Sequence, residues 1–512
     1  MALISEFTRF VVVFPLAFHK YLGKFVLCKI LFFSKAQRMA FFQESSSQKS
    51  NQPQRLNNNQ NDSNGIGGHP RGLTTLFFTE LWERFSYYGM RAILILYMVA
   101  PLTDGGLGLS VKSATAIYGS YTMWVYLLAL PGGFIADRWL GAKRAVIWGG
   151  SIIALGHFAI ALVAIHTQTA WFYTGLVCIV LGTGLLKPSI STMVGELYGE
   201  SDERRDAGFS LFFMGINIGA ACAPILCGFL AQHPVFKELL LLWGLNPCHS
   251  WHWGFGAAGV GMVIGLGHFL TSQDRFRDVG ECKHTPEHPH SPLLQSLTAQ
   301  EWRQIWVIFI LFVFTVIFGI VSEQAGSSMN LFADRLTHTS IGSWEFPSSW
   351  LQSAIPVYVI ILAPILSRLW VRLGDKQPSS PAKFALSLLF VGLAFAVMVL
   401  ASFAARNGEV SPLWLLGAFF LQEIGAVLLN PTGLSVVTKL APVRLVGMMM
   451  GVWFLASAVA SRIAGHLAGY FDETNTDYLA QYFGTLSAVM LLSAVVLALL
   501  VPRIRAMMGG VR

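Results

Sequence analysis

Apolar residues run along this chain in blocks of roughly 20 or more, each long enough for a helix to cross the hydrocarbon of a bilayer. Twelve such spans are predicted, at about 74–100, 113–135, 145–166, 171–194, 207–232, 252–271, 304–334, 350–373, 384–404, 412–438, 445–470 and 479–501. A hydrophilic stretch at 272–303 falls between the sixth and seventh. The expected organisation is therefore an N-terminal six-helix bundle over 73–271, a cytoplasmic linker over 272–303, a C-terminal six-helix bundle over 304–503 and a short cytoplasmic tail over 504–512. Residues 1–72 do not conform to this pattern. Residues 1–38 are hydrophobic and basic, interrupted by Lys20, Lys24 and Lys29 and without a small-residue cleavage site. They read either as a signal-like or interfacial helix or as a start assigned too early, with translation beginning at Met39. The Ser/Gln/Asn-rich tract at 44–72 cannot offset its ordering entropy by burial and is expected to be disordered.

Composition strengthens the membrane reading. With 54% hydrophobic and 12% charged residues over 512 positions, the chain lies outside the range of soluble domains. Loop charge then orients the spans. Arg138, Lys143, Arg144, Arg204, Arg205, Arg275, Arg277, Arg368, Arg372, Lys376, Arg503 and Arg505 fall on one side; Lys112, Lys237, Arg335 and Arg406 fall on the other. By the positive-inside rule the first side and both termini are cytoplasmic. The net charge of +8 reports this topology, and no nucleic-acid partner is expected. The six cysteines have no paired spacing in any outer loop, so no structural disulfide is expected. Cys282, His284, His288 and His290 in the linker have spacings open to a metal, but a solvated His/Pro-rich loop gives the same letters, and no metal or cofactor is expected. No nucleophile triad, Gly-rich phosphate loop or zincin motif points to an enzyme.

Candidate chemistry sits in the first span, Phe-Phe-Thr-Glu80-Leu-Trp-Glu83-Arg84-Phe-Ser-Tyr87-Tyr88-Gly-Met-Arg91. A charge in hydrocarbon costs at least ~3 kcal/mol and so usually faces a bundle interior, where it carries ions or substrate. Glu80, Glu83 and Arg84 share one helical face, with Glu80 and Arg84 one turn apart and able to pair; Arg91, two turns on, extends that face. The run is expected to form one wall of a polar, proton-accessible cavity. Lys187 lies within the fourth span before a proline, where an unpaired ammonium is costly, so it should meet a carboxylate or a ligand.

The loop Pro131-Gly-Gly-Phe-Ile-Ala-Asp137-Arg138-Trp-Leu-Gly141-Ala-Lys143-Arg144 resembles the Gly-x-x-x-Asp-Arg-x-x-Gly-x-Lys/Arg signature of major-facilitator proteins. The first-span motif, Leu-Gly-Thr-Gly-Leu-Leu-Lys187-Pro and Phe209-Ser-Leu-Phe-Phe-Met-Gly-Ile-Asn217-Ile-Gly together resemble the proton-dependent oligopeptide transporter family, over roughly 72–503. The resemblance implies an all-α integral membrane protein of the major-facilitator fold, with two six-helix bundles rocking about a midplane site. It also implies roles. Glu80, Glu83, Arg84, Lys187, Glu323 and Arg91 would couple to protons, Arg91 with Glu323 forming an outer gate. Arg84, Tyr87, Tyr88, Tyr126, Lys187 and Asn217 would bind substrate, and Asp137 with Arg138 would latch the cytoplasmic ends. Protons would be the coupling ion, and the chain would act as a monomer in the inner membrane.

Three positions depart from the family pattern. Gly319 stands for a Trp, Ile355 for an Asn, and Ala426 for a Glu, the last two being groups that hold the peptide's amino terminus. Glu423, about 60° and ~4.5 Å along the helix from Ala426, could take over the ammonium. Its alternative is a structural ion pair with Arg462. The expected function is proton-coupled import of di- and tripeptides or peptide-like solutes. The alternatives are the same machine carrying another small anionic solute, which would suit Ile355 and Ala426, and a sensor that binds solute without transporting it.

Overall fold

The protein was described from a computed structural model covering residues 62–163, 169–199, 202–277, 279–282, 297–342, 344–442 and 445–509. The fold is a bundle of long helices. The first half holds α1 (Arg71–Val99), α2 (Val111–Leu127), α3 (Ala129–Ile135), α4 (Ala142–Ala161), α5 (Thr169–Glu196), α6 (Arg205–Gln232), α7 (Pro234–Leu242) and α8 (Ser250–Thr271). The second holds α9 (Ala299–Ser322), α10 (Ser328–Arg335), α11 (Ala354–Leu373), α12 (Ser380–Ala404), α13 (Leu413–Leu440), α14 (Val446–Ala468) and α15 (Thr476–Met507). Among the described residues, ten helical segments are long and apolar enough to cross a membrane. The two other predicted spans are filled by α1, set apart by its internal charges, and by α2 with α3, which bends after 17 residues.

Several helix ends show why they stop or start where they do. A capping box opens α9, with the Thr298 hydroxyl accepting from the Glu301 amide and the Glu301 carboxylate accepting from the Thr298 amide. A π turn at Ala136–Leu140 ends at Gly141, whose positive φ of 75° turns the chain into α4. Prolines lie inside five of the helices (Pro188, Pro224, Pro364, Pro431 and Pro502), each removing one backbone donor from its helix.

One expectation needs correction. The tract at 44–72 is ordered over its described part: Ile66–Gly68 forms a turn, His69 Nδ1 bonds the Tyr198 hydroxyl at 2.8 Å, and Arg71 pairs with Asp62 at 3.3 Å. The linker 272–303 begins as structure packed against the first half. Phe276 is buried and stacks on Phe269, Lys143 donates its amide to Gly280 and its ammonium to Glu281, and Glu196 accepts from the Gly280 amide at 2.8 Å. Residues 1–38 and the linker histidines His284, His288 and His290 lie outside the described residues.

In the first half α1 packs on α6 and α8, and α4 on α5; in the second α12 packs on α13 and α15. The halves join where α2 crosses α14, glycine against glycine. A Cβ on Gly119 would lie 2.6 Å from the Gly465 Cα, an approach only glycine permits. Side-chain hydrogen bonds between the halves cluster at the end opposite the basic loops: Gln232 to Asp334 and Ser348, Trp350 to the Ile225 carbonyl, and Asn330 to the Ala92 carbonyl.

Candidate functional site

The helical spacing of α1 brings its charges into one cluster. Arg84 Nε lies 3.0 Å from Glu80 Oε1 and also pairs with Glu83, and all three side chains are buried. The guanidinium stands 5.4 Å from the centre of the Tyr87 ring, whose hydroxyl is buried. Two carboxylates sharing one arginine leave the group with one net negative charge, which a proton or a nearby cation neutralises. Among the described residues Lys187 on α5 forms no ion pair; its ammonium lies over Tyr126, 4.5 Å from the ring centre.

Two turns further along α1, Arg91 pairs with Glu323 and donates Nε to the Tyr118 hydroxyl. Glu323 is delivered by a break in its helix: α9 ends at Ser322, a 3₁₀ turn covers Glu323–Gly326, and α10 resumes at Ser328. Gly326 is required there, because an added Cβ would strike the Tyr118 hydroxyl and lie 3.2 Å from Arg91 Nε.

Below this pair lies a cavity of about 360 Å³ between the halves, lined by Tyr88, Arg91, Tyr126, Asn217, Gly319, Glu323, Gln352, Ile355, Glu423, Ala426, Asn430 and Ser457 among others. The candidate residues therefore divide. Tyr88, Arg91, Tyr126, Asn217, Glu323 and Glu423 line the cavity; Glu80, Glu83, Arg84, Tyr87 and Lys187 do not. The first span therefore supplies part of the cavity wall through Tyr88 and Arg91, as expected, whereas Glu80, Glu83 and Arg84 are buried and paired outside its lining. Asn217 lines the cavity and donates one amide hydrogen to the Phe213 carbonyl at 2.9 Å.

The Glu423–Arg462 pair is also corrected. Glu423 faces the cavity, whereas Arg462 is exposed in a groove formed with α2 and α5, beside Trp124 and Tyr173. Similar depth on neighbouring helices did not place them on facing sides. Asp137 and Arg138 are exposed on the π turn, with Arg138 5.9 Å from the Phe134 ring centre. Sequence reasoning missed Gln352, Gln422 and Asn430 on the cavity wall and Gln324 beneath the broken helix, where it accepts from Tyr482 and donates to the Ala464 carbonyl. Each is an uncharged polar residue in an apolar span, a readable but weaker signal than a charge.

Gly319 explains one departure. An added Cβ there would lie 2.7 Å from the Ala460 Cβ, so α14 occupies the room a larger side chain would need.

The family model described as POT family (PTR2) matches residues 143–291 and 281–486. The chain belongs to the POT family. The POT family is one of membrane transporters, not enzymes, and the chain is accordingly a multi-pass membrane protein of the major-facilitator fold. It is 38% identical over 496 residues to the uncharacterized transporter YclF of Bacillus subtilis (strain 168), covering 87% of this chain and 96% of that one. It is 37% identical over 506 residues to the peptide transporter YePEPT of Yersinia enterocolitica, covering 86% and 96% respectively. Among solved structures of POT-family proteins, it superposes with a TM-score of 0.79 and 36% identity on a mutant of peptide transporter POT in complex with alafosfalin, over 88% of this chain and 98% of that one. A POT family transporter in complex with 5-aminolevulinic acid gives a TM-score of 0.76 at 29% identity, over 86% and 98%.

Proposed function

We propose that this POT-family protein is a proton-coupled symporter that imports di- and tripeptides or peptide-like solutes by alternating access, across the cell (inner) membrane with both termini cytoplasmic. The observation that carries the reading is that one helix, α1, holds two carboxylate–arginine groups: Glu80–Arg84–Glu83 within the first half and Arg91–Glu323 across the halves. Protonating a carboxylate in either group removes the charge that holds its arginine. At the first group this frees Arg84, with Lys187 nearby, to meet a substrate carboxylate; at the second it loosens the outer gate. Deprotonation toward the cytoplasm restores the pairs and expels the solute. Tyr88, Tyr126 and Asn217 serve the variable body of the solute, and Glu423 its ammonium. Asp137 and Arg138 act as a cytoplasmic latch when that end closes. Relatives described as di-/tripeptide transporters of Lactococcus lactis, 33% identical over 508 residues, support this substrate class.

A second reading has its own support. Ile355 and Ala426 make part of the cavity apolar on the second-half side, which suits an anionic solute without an ammonium. The experiment is pH-driven uptake of labelled dialanine into liposomes containing the protein, beside its N-acetylated form. Uptake of the free-amine peptide alone supports the ammonium role of Glu423; acceptance of the blocked form, or no peptide uptake, favours the second reading.

A further inference from the structure

A second cavity, of about 680 Å³, opens between α11 and α13, away from the central one, and is closed below by the start of α12 and the end of α15. Its upper wall is apolar, with Leu366, Val427 and Pro431. Its lower rim carries Lys383, Lys439 and Arg505, together with Ser379 and Ser380 at the N-terminus of α12. Lys383 donates to Gln377 Oε1 at 3.0 Å and lies 4.6 Å from the centre of the Trp370 ring. Among the described residues the lining contains no acid, and none of the three cations forms an ion pair. The Ser379 side chain makes no cap bond, and Pro381 in the first turn of the 25-residue α12 offers no amide, so the cations are the donors the rim presents.

Three cations without an ion-pair partner among the described residues, converging in one cavity, ask for an oxyanion with several acceptors. The position says which source. The rim lies at the end of the bundle where the basic loops gather. From Pro431 to Lys439 the wall of α13 changes from apolar to cationic over about 12 Å, the reach of a phosphodiester, its glycerol and the first acyl carbons. A free phosphate would use the rim and leave the apolar wall empty. We propose that this cavity is a binding site for the headgroup of an anionic phospholipid of the cytoplasmic leaflet, its phosphate held by Lys383, Lys439 and Arg505 and its upper acyl chain laid against Leu366 and Pro431. The lipid would sit where α11 and α13 approach one another, and so bear on how those two cavity-lining helices move.

The test uses the full-length protein in detergent, titrated with phosphatidylglycerol, with phosphatidylcholine of the same chains, and with glycerol phosphate, and read as bound lipid by native mass spectrometry. Phosphatidylglycerol adducts are expected to exceed those of phosphatidylcholine and to fall about fivefold for each of Lys383→Gln, Lys439→Gln and Arg505→Gln. A matched triple variant elsewhere on the same basic end, Arg303→Gln with Arg372→Gln and Arg503→Gln, should retain them. Equal loss in both triple variants would mean a general basic surface and overturn the proposal. Glycerol phosphate that displaces the lipid at the same concentration, with the same dependence on the three cations, would reassign the site to a soluble anion. Should the triple variant that combines Lys383→Gln, Lys439→Gln and Arg505→Gln lose its monodisperse profile, the single variant Lys439→Gln carries the same comparison.

Discussion

At the scale of the residue, Glu83 and Glu423 make separable demands. Glu83 is buried against Arg84 and does not line the cavity, so its part in the proposal is coupling rather than contact with solute. Glu83→Gln is expected to abolish proton-driven accumulation while leaving counterflow exchange partly intact; accumulation at the wild-type level would exclude Glu83 as a coupling group. Glu423 does line the cavity, and a charge-assisted hydrogen bond there contributes about 2 kcal/mol. Glu423→Gln should therefore weaken a free-amine dipeptide by ~30-fold. The N-acetylated peptide should hardly change, and Arg462→Gln should leave both as they were. Competition assays with the two peptides measure this, and equal weakening of both would count against an ammonium role. Much of the residue scale was legible because each charge in an apolar span is costly enough to stand out: Glu80, Glu83, Arg84, Arg91 and Glu323 all found partners. The Glu423–Arg462 pair misled because depth along a helix follows from counting residues, whereas the face a residue presents depends on how its helix is rotated in the bundle.

At the scale of the element, spans were readable and their joints were not. Most predicted boundaries fall within a few residues of the helix ends, since length and apolar content are strong signals over twenty positions. The amphipathic α7, the two-residue strands β1 (Ser340–Ile341) and β2 (Trp344–Glu345), and the 3₁₀ turn that splits α9 from α10 are too short to carry a period. Glycines in apolar helices suggested close packing without naming a partner. The crossing of α2 and α14 supplies one, and with it a prediction. Gly119→Leu or Gly465→Leu cannot be absorbed without separating the helices, because the facing atoms are backbone. Either variant should insert and remain monodisperse but fail to close the end that carries Arg91 and Glu323. Uptake should fall at least tenfold, and a cysteine introduced at Tyr118 should become open to an impermeant thiol reagent from that side; unchanged labelling together with normal uptake would show that the crossing is not part of closure.

At the scale of the whole molecule, the bonds between halves gather at one end: Arg91 with Glu323, Gln232 with Asp334 and Ser348, and Trp350 with the Ile225 carbonyl. Asp137 and Arg138 stand exposed at the other. If the bundle works by rocking, the sealed end must part once per cycle, and a bond that prevents parting must stop net transport. Gly228 and Ser349 supply that bond. A Cβ on Gly228 would lie 3.4 Å from the Ser349 Cβ, close to the spacing of a disulfide. The neighbouring Cys227 should first be replaced by Ser, since it adjoins the new thiol. In Gly228→Cys with Ser349→Cys, oxidation is expected to form the crosslink without gross rearrangement and abolish pH-driven uptake, while solute added on the cytoplasmic side still binds. Reduction should restore uptake. The driving force cannot rescue the crosslinked form: about 2.3 kcal/mol per charge per 100 mV biases an equilibrium between two arrangements but does not break a covalent bond that excludes one of them. Undiminished uptake by fully oxidised protein would mean that these ends stay together throughout transport and that the moving interface lies elsewhere.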